Sequence, residues 1–95
     1  MNLKEFSEKI VNKFGADKQI DIAIEEMAEL IKALCKFNRR NEATDRQEVF
    51  RNIEEELADV VICMSELCYI FDFKDEVRYN IARKIKRSCQ RYGID

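Results

Sequence analysis

The sequence predicts an all-α fold, a four-helix-type bundle with short connections. Three observations predict it. Apolar residues recur every three to four positions over long stretches, with no strand-type alternation. There is no Pro, and there are only two Gly, both near expected helix ends. The polar breaks between the periodic stretches are few and short. The 95 residues form a single domain, residues 1–95, because a second core does not fit in this length.

The first helix spans about Leu3–Phe14, with Leu3, Phe6, Ile10 and Phe14 as its stripe and Gly15 as its stop. The second begins near Asp17, a good N-cap residue, and runs to about Asn38. Its apolar face is broad: Ile20, Ala23, Ile24, Met27, Leu30, Ile31, Leu34 and Phe37. Asn38–Asp45 is poor in apolar residues and reads as a loop. Thr44 with Gln47 fits a capping box that opens the third helix, which runs to about Phe71. That helix carries Phe50, Ile53, Leu57, Val60, Val61, Met64, Leu67, Cys68 and Phe71. Asp72 is the expected cap of the fourth helix, with Asp75 and Glu76 in its first turn, where they favour the helix dipole. Val77, Ile81, Ile85 and Tyr92 follow, and Gly93 ends the helix.

Composition narrows the chemistry. Apolar residues are 46% and charged residues 38%, which describes a globular chain with a charged surface. A domain this small buries only roughly 60–65% of its unfolded surface, so a tight homo-oligomer is expected. The net charge of -2 argues against a nucleic-acid module. The absence of His removes the triad and dyad chemistries that need imidazole, and imidazole metal ligation with them. Walker-type phosphate loops need glycines this chain lacks. The longest apolar run, Val60–Met64, is far too short to span a bilayer. Met1-Asn2-Leu3-Lys4-Glu5 has no apolar signal core, so a cytoplasmic protein is expected. The cysteines at 35, 63, 68 and 89 form no Cys-x-x-Cys pair and read as structural or incidental thiols in a reducing compartment.

The informative residues are acids on the two longest helices. Glu26 and Glu29 are spaced i, i+3 and share a helix face, and Glu56 and Asp59 repeat that spacing. Their positions interrupt or border the apolar stripes. A carboxylate placed there is costly without a positive neighbour. Two antiparallel helices facing these pairs at each other would gather four carboxylates, and such a cluster needs a counter-charge. An all-oxygen set suits a hard divalent cation, Mg²⁺ or Mn²⁺, in contact with a phosphate ester. The alternative is an ordinary solvated helix face, with Glu29 paired to Lys32 and Glu54 or Glu55 to Arg51.

Glu25-Glu26-Met27-Ala28-Glu29 followed by Glu56-Leu57-Ala58-Asp59 resembles the paired acidic motifs of the all-α NTP pyrophosphatase superfamily, and its MazG-like branch most closely. The resemblance covers about residues 17–93 and extends to Ala23-Ile24, Leu30 and Val60-Val61 around the motifs. It implies an α-helical bundle that assembles as a homodimer or homotetramer. It implies hydrolysis of a nucleoside triphosphate between its α and β phosphates, giving a monophosphate and pyrophosphate. By the resemblance, Glu26, Glu29, Glu56 and Asp59 are the Mg²⁺ ligands and catalytic acids.

Lys84, Ser88, Arg91 and Tyr92 are similar to the family's C-terminal Lys-x-x-x-Asn-x-x-Arg-Tyr pattern, with Ser88 where Asn is common. Lys84, Arg87 and Arg91 fall on one helical face. The implied role of Lys84, Arg87, Ser88 and Arg91 is to bind the triphosphate; the alternative is a basic C-terminus that favours the helix dipole. Two further functions compete. One is phosphoribosyl-ATP pyrophosphohydrolysis, although the Lys-Lys-x-Gly typical of that enzyme is replaced by Ala23-Ile24. The other is a non-catalytic helical oligomer serving as a binding module.

Overall fold

The computed structural model describes Met1–Asp95 as four helices with no strand: α1 (Leu3–Phe14), α2 (Ala16–Asn38), α3 (Arg46–Phe71) and α4 (Lys74–Tyr92). Asn2 caps α1 by accepting a hydrogen bond from the Glu5 amide at 2.8 Å. Gly15 both ends α1 and precedes α2, at φ 94° and ψ 154°, a conformation that side chains with a Cβ rarely adopt.

Three caps differ from the sequence expectation. Asp17 is not the cap of α2; it lies in the first turn, and Gly15 at the cap position supplies no side-chain bond. Asp45, not Thr44, caps α3, accepting from the Glu48 amide at 3.2 Å. Thr44 instead accepts from the Asn41 amide and closes the preceding turn. Asp72 does not cap α4. It closes α3 in the left-handed conformation at φ 57°, with its amide turned back onto the last turn. Phe73 then leads into α4 without a side-chain cap.

α2 and α3 form the central antiparallel pair. Gln19 near the start of α2 meets Glu66 near the end of α3, and the Phe37 and Phe50 rings meet at the other end, 5.9 Å apart. Small side chains, Ala23, Ala33 and Cys63, are buried on these two helices. They permit close approach. α1 packs on both helices through Val11 and through two polar ties to α3. Ser7 Oγ lies 2.8 Å from the Ser65 hydroxyl, and the Tyr69 hydroxyl donates to Asn12 at 3.0 Å.

α4 touches α3 alone, and none of its residues is buried. The outline is correspondingly open. The radius of gyration is 16.7 Å, against about 12 Å for a compact domain of this length. The chain exposes 7734 Å², whereas a folded monomer of 11.3 kDa exposes about 5,700 Å². The excess is apolar in part. Ile24, Met27, Ile31 and Leu34 form a second stripe along α2, and Leu57, Val61 and Met64 do the same on α3. No helix is long and apolar enough to cross a membrane.

Candidate metal centre

The antiparallel pairing of α2 and α3 turns the two acidic motifs toward each other. Glu26, Glu56 and Asp59 each offer a carboxylate oxygen, and these oxygens all lie within 4.8 Å of one another. Glu26 and Glu56 are half-buried and Asp59 is exposed. Glu29, one turn after Glu26, is exposed and stands outside this trio, close enough for its charge to act on Glu26.

The electrostatics are one-sided. The Glu26 pKa is raised above its ordinary value, first by burial, then by the charges of Asp59 and Glu56, then by a hydrogen bond to Asp59, and last by Glu29. Every charged neighbour acting on it is itself an acid. Glu56 Oε2 is buried and has no hydrogen-bond partner. Such an atom is costly to leave unpaired. Two like charges about 4 Å apart repel by roughly 4 kcal/mol at an effective dielectric near 20. Three convergent carboxylates, one with an orphaned buried oxygen, fit a hard divalent cation.

The remaining expected residues lie elsewhere. Lys84, Arg87, Ser88 and Arg91 are all exposed on α4. Within one chain α4 makes no contact with α2, the helix that carries Glu26 and Glu29. A cavity of about 640 Å³ opens at the α2–α3 loop among Lys36, Arg39, Glu48, Arg51, Asn52 and Glu55, and none of the four acids lines it.

The MazG nucleotide pyrophosphohydrolase domain model matches residues 14–92, most of the chain and all of α2, α3 and α4. The chain belongs to the MazG family. No curated protein and no solved structure matches it. For a MazG domain the two longest helices are thus the ones that bear the acids, and α1 lies almost wholly outside the matched region.

The sequence reading missed two buried polar residues beside the trio. Gln19 Nε2 donates to Glu66 Oε1 across the α2–α3 seam, with the two residues only 5% and 4% exposed. Cys63 lies between Glu66 and Asp59 on the same face of α3. Its thiol pKa is pushed up to about 11, by burial first and then by Glu66, Glu26 and Asp59. A seven-residue step from Gln19 to Glu26, and again from Asp59 to Glu66, was the available signal.

Proposed function

We propose that this MazG domain is a Mg²⁺-dependent nucleoside triphosphate pyrophosphohydrolase that converts a (d)NTP to a (d)NMP and pyrophosphate, in a nucleotide-pool cleaning role. The observation that carries this reading is the convergence of Glu26, Glu56 and Asp59 with the unpartnered Glu56 Oε2. Glu29 completes a four-carboxylate set at the mouth of the site. Mn²⁺ suits the same oxygens.

A cation held there neutralises phosphate oxygens and makes a nearby water more acidic. The chain itself supplies the rest. Carboxylate oxygens of the set orient the attacking water, and one left free of metal accepts its proton. The water oxygen bonds to phosphorus, the α–β anhydride bond breaks, and pyrophosphate leaves with the electron pair. No imidazole is required.

Lys84, Arg87, Ser88 and Arg91 bind the triphosphate in this reading. α4 does not approach α2 of its own chain, so a second copy delivers these side chains in a homodimer or homotetramer. The surplus of exposed surface, about 2,000 Å² over a compact monomer, supports such an assembly.

The test is pyrophosphate release from canonical and modified (d)NTPs, with Mg²⁺ and with EDTA, beside Glu56→Gln. Mg²⁺-dependent release that the variant loses is the expected result. No release from any triphosphate would remove the general reading. Turnover of phosphoribosyl-ATP would then favour that narrower reaction, and its absence a non-catalytic module.

A further inference from the structure

We propose that Gln19 and Glu66 are positioning residues: their buried hydrogen bond sets the axial register of α2 against α3 and thereby brings Glu26 to Asp59 and Glu56. This inference rests on the metal-centre reading above.

The spacing carries the argument. Gln19 pairs with Glu66 across an antiparallel seam. Seven residues onward along α2 is Glu26, and seven back along α3 is Asp59. Ten onward is Glu29, and ten back is Glu56. Each seven-residue step is close to two turns, so the pairs occupy one face of each helix, about 10 Å along the axis from the hydrogen bond. The register that pairs Gln19 with Glu66 therefore places Glu26 opposite Asp59, within reach of Glu56, while Glu29 stays at the exposed edge.

Beyond the Phe37–Phe50 contact at its far end, the seam has little else to fix that register. The buried apolar side chains of α2 and α3, Ala23, Ala33, Val60 and Cys63, are small or medium-sized and give few knobs to resist sliding. A slip of one turn displaces the helices by about 5.4 Å, more than the 4.8 Å within which the three carboxylate oxygens lie. A buried polar pair resists such a slip because both groups lose their partner at once. A single buried polar residue fixes register and oligomer state in coiled coils by the same logic.

The test uses the full chain and Mn²⁺ binding, read from the loss of the free Mn²⁺ electron-spin-resonance signal. Gln19→Met with Glu66→Met keeps side-chain length and removes the hydrogen bond. With helical content checked by circular dichroism, this variant is expected to bind Mn²⁺ about 10–100-fold more weakly than wild type, the range for loss of a supporting shell around metal ligands. Gln19→Glu with Glu66→Gln reverses the pair and is expected to bind within about threefold of wild type. If the double Met variant does not fold, Gln19→Met alone carries the same expected weakening. Unchanged Mn²⁺ affinity in a folded Met variant would overturn the inference while leaving the function standing. So would a reversed pair as weak as the Met variant. A wild-type protein that binds no Mn²⁺ would overturn the metal-centre reading itself, and this inference with it.

Discussion

Glu26 on α2 faces Asp59 on α3, acid against acid, with carboxylate oxygens within 4.8 Å, and that contact helps hold the Glu26 pKa above its ordinary value. Two carboxyls in this relation share a proton or require a cation. Glu26→Gln removes one charge and keeps a donor. In EDTA near neutral pH it should stabilise the fold by about 1 kcal/mol, raising Tm by roughly 4–8 °C for a domain of this size. The same variant should lose Mg²⁺-dependent stabilisation, and its pyrophosphate release should fall by more than about 100-fold. Thermal melts with and without Mg²⁺ check both. A lower Tm in EDTA would mean that the Glu26 charge stabilises the fold.

The raised Glu26 pKa also fixes the sign of a pH dependence. The folded chain holds this proton more tightly than the unfolded chain does. Its contribution to stability is therefore fully present below the ordinary value of 4.5 and is lost as pH rises through the raised value. Melts of the metal-free protein from about pH 4 to about pH 7 should show wild type falling behind Glu26→Gln as pH rises. Saturating Mg²⁺ should reverse the order at the upper end. Parallel curves in EDTA would count against the coupling.

Periodicity sufficed for α1 and for the end of α4, because in each an apolar stripe stops at one glycine, Gly15 or Gly93. It did not choose among neighbouring caps. Thr44 and Asp45 are both good N-cap residues, and the turn that spends Thr44 on Asn41 leaves the role to Asp45. Asp72 looked like an opening residue and is a closing one, since Asp tolerates the left-handed conformation. Glu26, Glu56 and Asp59 were legible because an i, i+3 acidic pair intrudes on an apolar face twice. Gln19 and Glu66 were not, since a single Gln and a single Glu read as solvated until a partner helix covers them. Amphipathicity in α4 shows a face to bury and does not name what covers it.

Cys63 should be chemically quiet. Burial and the adjacent acids push its thiol pKa to about 11, so the thiolate is scarce at ordinary pH. Cys35 is exposed. Iodoacetamide at about pH 8, followed by mass spectrometry, should label Cys35 at least about 100-fold faster than Cys63. Equal rates would show that the α2–α3 seam opens readily.

Ile31 is 62% exposed in the middle of the uncovered α2 stripe with Ile24 and Leu34. A contiguous apolar stripe of this kind marks an interaction surface. Wild type should sediment as a dimer or tetramer, and Ile31→Glu should shift it toward monomer with little loss of helix. A wild-type monomer at micromolar concentration would contradict the proposed assembly.

Complementation between two inactive variants tests whether one site draws on two chains. Glu56→Gln disables the acidic half and Arg91→Ala the basic half. If each site uses the acids of one copy and α4 of another, a mixed dimer holds one site with both halves intact and one with both impaired. Equal mixing after unfolding and refolding gives half mixed dimers, so activity should return to about one quarter of wild type. Each variant alone should stay inactive, or nearly so, under the same assay. If α4 instead served the acids of its own chain, every site in every mixed dimer would carry one impaired half. No activity beyond the average of the two variants would then return. The open placement of α4, in contact with α3 but not α2, favours the first outcome.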